Sequence, residues 1–366
     1  MAETEFALNA PLAVQRWSGS LDVEAVKKAY FPKFMGTGKD SIIVIKNELN
    51  KAAGEKVTVA LRAKLAENGI EGDNIIEGHA TGEEALSFFN DYLFIDQLRK
   101  STKSKGKMSE QRVPYNMRME GRDALATWWA EYMDEQMFMY LSGARGMDPS
   151  FKVPLGWTGR ANNALVAPDA THQMYAGDAT GHADLATGDI VGLVDVERLV
   201  ATAETLDPMI QGINVGGGEN KFVFLMHTYQ AFQLRTSTTT NDWLDIQKAA
   251  GNRGSNLVYK NSLGEYADVI LHKHRNVIRF SSAQTATVAA ARGLFLGAQA
   301  GLMAYGQNAS PNRYSWNEDK DDRGNALAIT AGSIFGTKRT TYNSKTYGLI
   351  ACDSYCPTPT GVVTSA

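Results

Sequence analysis

Lys56-Val-Thr-Val-Ala-Leu-Arg62 and Phe88-Phe-Asn-Asp-Tyr-Leu-Phe-Ile-Asp96 are the two stretches on which the reading of this chain turns. In the first, Val57, Val59 and Leu61 share one face while Thr58 and Arg62 are polar, the period of two that marks a strand. The second alternates again through Tyr92, Phe94 and Asp96. Between them Gly69, Gly72, Gly78 and Gly82 stand among Glu67, Asp73, Glu77, Glu83 and Glu84, a composition that bends rather than packs. The whole excursion, about forty residues, reads as a hairpin arm over 55–98 that projects from its domain. An arm this long cannot bury its apolar face against its own domain. It needs a neighbouring subunit, which points to assembly before catalysis.

Beyond the arm, the basic run Arg99-Lys-Ser-Thr-Lys-Ser-Lys-Gly-Lys107 leads into a helix expected from Arg112 to Leu141, within outer limits of 110–142. Leu125, Trp128, Trp129, Tyr132, Met133, Met137 and Leu141 recur at helical spacing. Pro114 suits a first turn and Gly143 a stop. Thirty residues at 1.5 Å each make about 45 Å, enough for a strut across a flat subunit.

The remaining pattern is mixed. Residues 1–35 are irregular apart from a helical stretch near Leu21–Tyr30, and Ser41–Lys46 begins ordered structure. Pro149–Gly188, rich in Gly, Ala, Asp and Thr, reads as loop. Helices are expected at Val194–Thr205, Tyr229–Leu234 and Trp243–Ala250, and strands at Lys221–Met226, Asp268–His272, Ala326–Thr330 and Tyr347–Asp353. Gly293–Gly306 is apolar with small residues, as a strand or a tightly packed helix would be. Helices and strands interleave without regular βαβ spacing, so the class is α+β.

Composition narrows the function. The 366 residues are 43% hydrophobic and 21% charged, ordinary for a folded chain, and the net charge of −3 argues against a binder that relies on a broad basic surface. No apolar run reaches the length needed to span a membrane. The start, Met1-Ala-Glu-Thr-Glu, is acidic with no apolar segment after it, so no secretory signal is expected. Cys352 and Cys356, four apart on a strand, lie roughly 13 Å from each other, too far for a disulfide. They are expected to be reduced thiols.

Each candidate for chemistry has a plainer reading. Gly36-Thr-Gly-Lys-Asp-Ser41 resembles part of a phosphate loop, but Lys33 stands where the first Gly belongs and Asp40 where Ser or Thr should follow Lys39. A turn is the expectation. Gly216-Gly-Gly218 precedes a strand instead of following one, so it is no dinucleotide fingerprint. His272 and His274 share a strand face and could begin a metal site. No third ligand follows, and Lys273 and Arg275 add positive charge, so a partly exposed strand is expected. Glu318-Asp-Lys-Asp-Asp322 faintly resembles a calcium loop, with Arg323 at a ligand position and Thr330 where the bidentate Glu should be. It is read as a solvated acidic loop. The 99–107 basic run lacks interleaved aromatics and is read as a solvated or inter-subunit face. Trp128 and Trp129 are read as core. No triad surrounds His79, His172, His182 or His227. The sequence therefore yields no catalytic, cofactor-binding or metal residue and implies no cofactor.

Several segments taken together resemble a known family. These are Gly106–Arg118 leading into Ala124–Glu131, then Tyr175–Thr180, Leu225–Arg235, Asp242–Lys248, Phe295–Ala300, Ala331–Lys338 and Tyr342–Ile350. In order and spacing, over roughly 30–355, they resemble the major capsid proteins of tailed bacteriophages, in the subgroup typical of certain short-tailed phages. The resemblance implies the Hong Kong 97-type coat fold. On that fold 1–40 would be an N-terminal arm, 41–54 the start of a peripheral domain and 55–98 the extended loop. Residues 99–189 would form the peripheral domain with its spine helix at 110–142, 190–325 an axial domain, and 326–366 the return to the peripheral domain.

The same resemblance implies a structural, non-enzymatic function: self-assembly into hexamers and pentamers of an icosahedral head that encloses double-stranded DNA without sequence-specific binding. It implies a portal protein at one vertex, a decoration protein in some relatives, no membrane, and a place in the virion after assembly in the host bacterial cytoplasm. Some relatives carry a scaffolding segment of about a hundred residues ahead of the shell domain. Only about forty residues precede the loop here, so a separate scaffolding protein is expected. A cellular encapsulating shell of the same fold, and an enzyme with an unrecognised site, are the alternatives.

Overall fold

The computed structural model describes residues 21–48, 54–78, 82–214, 220–236, 262–281, 288–307 and 313–360. Its axis is the helix Met117–Ser142. Asn116 caps it, its side-chain oxygen accepting from Arg118 N at 3.0 Å. Gly143 ends it at φ 71°, and a Cβ there would run into the Val166 carbonyl. The helix is 26 residues long, about 39 Å, rather than the 45 Å expected. The shortfall is at its start. Lys107–Gln111 forms a separate helix, and 112–116, with Pro114, turns between the two.

Two sheets flank this helix. The long strand Ala326–Arg339 is the centre of a six-stranded sheet. Gly301–Tyr305 and Ser315–Asp321 lie end to end along one of its edges, and Asp96–Lys103 runs antiparallel along the other. Ile43–Lys46 extends the sheet beyond Gly301–Tyr305 in parallel. The second sheet has eight strands, with the path Ser262–Tyr266, Val269–His274, Asn220–His227, Val288–Leu296, Leu349–Tyr355 and Gln173–Tyr175. The ambiguous apolar run 293–306 is thus resolved as the end of one strand and all of another, one in each sheet. Leu193–Thr205 and Thr228–Thr236 are helices as expected; the helix expected at Trp243–Ala250 and the Gly216–Gly218 turn lie outside the described residues.

The chain crosses between the sheets more often than the linear boundaries drawn from sequence allow. Gly301–Tyr305 and Ser315–Asp321, grouped with 190–325, pair into the sheet of Ala326–Arg339, whereas Leu349–Tyr355, grouped with 326–366, pairs into the eight-stranded sheet. Gln173–Tyr175 joins that sheet too, inside a stretch read as loop. Within 1–40 the helical stretch expected near Leu21–Tyr30 is present over 21–28, Phe31–Phe34 makes a 3-10 turn, and Leu21, Phe31 and Phe34 are buried in the main core.

One core lies where the long helix meets both sheets, around Trp129, Met137, Phe138 and Phe335. A second lies between Leu193–Thr205 and the eight-stranded sheet. A third, small one sits at the root of the arm: Val57 and Leu93 against Val44, Leu302 and Ala304.

Candidate assembly site

The arm is a hairpin of its own. Lys56–Arg62 pairs antiparallel with Phe88–Phe94, from Lys56 opposite Phe94 to Arg62 opposite Phe88, and with no other strand among the described residues. The alternation seen in sequence is real but shallow: Val57 is buried, Val59 and Leu61 are half-buried, and the intervening residues are exposed. Further out the apolar side chains are bare. Ile75 is 76% exposed and Leu65 62%, with Ile76, Leu86 and Phe88 also open. The tip is held by its own acids: Glu84 accepts from the Ala66 and Glu67 amides, and Glu83 from Gly78.

The root is where the arm meets the body. The return strand leaves the arm at Ile95 and enters the six-stranded sheet at Asp96. At that junction Asn163 acts as a one-residue strand. Its Oδ1 accepts from Phe94 N at 3.0 Å, and its Nδ2 donates to Phe94 O at 2.8 Å. Asn163 is itself held by Tyr140 of the long helix, whose hydroxyl donates to the Asn163 carbonyl at 2.9 Å. Beside it the Lys338 ammonium pairs with the Asp91 carboxylate, which also accepts from Thr341 N at 3.0 Å. On the body side Asn163, Tyr140, Lys338 and Thr341 each come from a different element, so arm direction is set by the body.

The sequence candidates fall as follows. Gly36–Ser41 is a turn, with Ser41 N donating to Gly38 O at 3.3 Å. His272 and His274 do share a face, and their strand lies between Asn220–His227 and Ser262–Tyr266, partly exposed at its end: His272 is buried, Lys273 exposed and His274 half-buried. Both rings sit among aromatics: Phe34 lies 5.5 Å from His272, and Tyr30 4.5 Å and Phe138 4.9 Å from His274. Burial pushes their pKa values down, to about 3 and about 4, which keeps the rings neutral. Among the described residues no group of three His, Cys, Asp or Glu is placed to hold a metal ion.

The acidic segment is a strand and its turn, not a solvated loop. Glu318 is buried, pairs with Arg118 at 2.7 Å and accepts from the Trp316 indole at 3.0 Å. Asp321 pairs with Lys103 at 2.5 Å. The basic run is likewise the edge-to-edge partner of Ala326–Arg339 over Asp96–Lys103. Trp129 is fully buried against Tyr314 and Phe335, and Trp128 stacks on Tyr132 at 4.8 Å. Cys352 and Cys356 are both free and buried, and burial holds both thiols well up, Cys356 at about 12.

The polar groups that sequence reading passed over are the ties between elements. Arg292 and Asp353 stand directly opposite each other on adjacent strands of the eight-stranded sheet. They form two bonds, at 2.6 and 2.7 Å, and Arg292 Nη1 also donates to the carbonyl of Ser142, the last residue of the long helix, at 2.9 Å. Asp134, buried mid-helix, accepts from Tyr30 N at 2.7 Å and Phe31 N at 3.1 Å and so fastens the N-terminal segment to the helix.

A rigid two-sheet body with a helical strut and a bare projecting hairpin is the build of a structural subunit, made to be covered by its neighbours. The comparisons agree. The chain belongs to the phage capsid protein family, whose model, described as "Phage capsid protein", matches residues 5–358. It is 27% identical over 352 residues, 87% of each chain, to the major capsid protein of Pseudomonas phage KPP25. Among solved structures, the capsid of Ralstonia phage GP4 is 36% identical and superposes over 99% of this chain and 100% of that one at a TM-score of 0.83. The Cyanophage Pam1 capsid asymmetric unit, at 17% identity, covers 97% and 96% at 0.70, a likeness of fold. The fold is the α+β Hong Kong 97-type coat fold, and the chain is a capsid protein of the virion.

Proposed function

We propose that this chain is the major capsid protein of a tailed phage and assembles as hexamers and pentamers into a closed icosahedral head around double-stranded DNA. The observation that carries the reading is the arm. A chain of this family leaves Leu65, Ile75, Ile76, Leu86 and Phe88 in solvent on a hairpin that packs on its own body through Val57, Leu93 and Phe89. Exposed apolar surface of that kind is covered in a functional assembly. Repetition around a closed lattice then turns a modest contact into a stable shell.

In this reading the six-stranded sheet and the long helix form the peripheral domain, and the eight-stranded sheet with Leu193–Thr205 forms the axial domain. A separate scaffolding protein guides assembly in the host bacterial cytoplasm, a portal protein occupies one vertex, and a decoration protein is an optional addition. The net charge of −3 suits a wall that must not grip the DNA it holds. The shell does no catalysis.

Electron microscopy of the expressed chain, with and without the phage's own scaffolding protein, tests this. Closed shells, tubes or capsomer rings are expected. A strictly monomeric particle under both conditions overturns the reading.

A further inference from the structure

Asn68 is the one asparagine in the sequence that is followed by glycine. Glycine puts no side chain in the way of its own backbone nitrogen, so that nitrogen can reach the asparagine side-chain carbonyl when the chain is free to bend. The fold decides that freedom, and other asparagines are tied down. Asn163 bonds through both ends of its amide to Phe94, Asn116 caps the long helix, and Asn325 accepts from Lys107 N and donates to Asp322.

Asn68 is exposed at the arm tip. Among the described residues neither its side-chain amide nor Gly69 N has a hydrogen-bond partner. Gly69 takes φ +78°, and no atom lies within 4 Å of where a Cβ would stand, so the turn is open on that side. Glu84 closes the stretch just before it, accepting from Ala66 N at 2.7 Å and Glu67 N at 3.2 Å. Asn74, exposed on the same tip, differs in both respects: Ile75 follows it, and its Nδ2 donates to Glu71 O at 2.8 Å.

We propose that Asn68 is a site of spontaneous modification, and that its conversion limits how long an unassembled chain stays competent to assemble. Gly69 N loses its proton to hydroxide and attacks Asn68 Cγ. A C–N bond forms there, the bond from Cγ to Nδ2 breaks, and ammonia leaves. Water then opens the cyclic imide. Attack at the side-chain carbonyl leaves aspartate; attack at the main-chain carbonyl leaves isoaspartate, with the chain running on through Cγ. Water is consumed and ammonia released, and nothing is oxidised or reduced. Both products place a new carboxylate next to Glu67, on a tip that carries six acidic side chains and one basic one over 63–87. Like charge then opposes the bonds that Glu84 makes to the Ala66 and Glu67 amides. Isoaspartate also lengthens the main chain at the turn. The limit on competence rests on the shell reading, in which the arm is to be covered; the chemistry does not.

Mass spectrometry of the unassembled subunit, held at mildly alkaline pH, tests the site. The Asn68 peptide should gain the mass difference between –NH2 and –OH and become a substrate for isoaspartyl methyltransferase, while Asn74 stays unchanged. The rate should lie within about tenfold of that in a synthetic peptide spanning 64–72, because little local opening energy stands against it. Asn68→Gln should abolish the change. An Asn68 that stays intact, converts no faster than Asn74, or lags the peptide by more than that factor overturns the site. Sedimentation velocity, with the scaffolding protein present, tests the consequence. Fully converted chains should assemble to a smaller extent than new ones, and Asn68→Gln chains held as long should assemble as new ones do. Equal assembly of converted and new chains overturns the limit on competence. New wild-type chains that form no assembly overturn the shell reading, and the conversion of Asn68 is still read from its mass.

Discussion

Asp353→Asn isolates the tie between the long helix and the eight-stranded sheet. The Asp353 carboxylate is fully buried and takes two bonds from Arg292, at 2.6 and 2.7 Å, and one from Gln173 at 3.1 Å. The amide keeps the shape and removes the charge. The Arg292 guanidinium then stays buried with no anion, and one side-chain position offers a donor where an acceptor is needed. Breaking a buried pair from one side costs about 3–5 kcal/mol, against a total stability of about 5–15 kcal/mol for a folded domain. The assay is urea unfolding of the unassembled subunit, followed by tryptophan fluorescence, because Trp129 sits in the core between helix and sheet. Removing both charges in R292L/D353L should cost less than Asp353→Asn alone, since no charge is left stranded and only two neutral groups, Ser142 O and the Gln173 amide, lose a partner. A loss below about 1 kcal/mol in Asp353→Asn, or a double variant as unstable as the sum of its singles, would refute the argument that this pair is a coupled buried unit.

Three further outcomes are expected. Asn163→Ala removes both bonds to the Phe94 backbone and should cost about 1–3 kcal/mol locally. Hydrogen exchange should quicken at Phe94 and along the arm strands, and stay unchanged in Ala326–Arg339. Gly143→Ala forces a Cβ into the left-handed region and against the Val166 carbonyl, so it should lower stability by at least about 2 kcal/mol in the same urea assay. Asp134 gives a pH dependence. Burial lifts its pKa from 3.8 to about 7, against the pull of the Tyr30 and Phe31 amides. Between those values the folded chain holds a proton that the unfolded chain has released. This group's contribution is therefore fullest near pH 4, falls as pH rises to about 7, and is level above that. The difference in urea midpoint between about pH 4.5 and about pH 7.5 should shrink in Asp134→Asn; an equal difference in both chains would assign the titration elsewhere.

The arm was legible because its signal is local: alternation in 56–62 and 88–96, with glycine and acid between, needs no partner to be read. The long helix was legible for the same reason, except at its start, where the Pro114 stretch turned out to separate two helices. The sheet assignments were not legible. Strand pairing is a property of distant segments, and Ala326–Arg339 takes partners from Asp96–Lys103 on one edge and from Gly301–Tyr305 and Ser315–Asp321 on the other. Periodicity carries no information about such pairing. The buried tie did leave a trace. Arg292 stands alone in the apolar run Val288–Leu296, and Asp353 alone in Leu349–Cys356. Two isolated opposite charges in two apolar strands are the mark of a pair in register. Asn163 left none, since an Asn in a turn-rich stretch is ordinary until its partner is known.

The distribution of these ties predicts how the subunit can move. The two sheets and the helix between them share one apolar core, and their polar links are buried and multiply bonded. The arm is held by the small cluster around Val57 and Leu93, the Asn163 bridge, the Lys338–Asp91 pair with its Thr341 bond, and the Phe89–Tyr342 ring contact. Local opening is governed by how much buried apolar contact must be given up. The body therefore moves as a unit, and the junction at Ile95 is the place of least resistance, where a strand changes sheets and a few polar contacts, those of Asn163 and Arg160 among them, bridge the gap. A shell that changes size after assembly must re-aim its arms without dissolving its subunits. In the shell proposed for this chain, strong ties inside the body and weaker ones at the base of the arm would allow such a change.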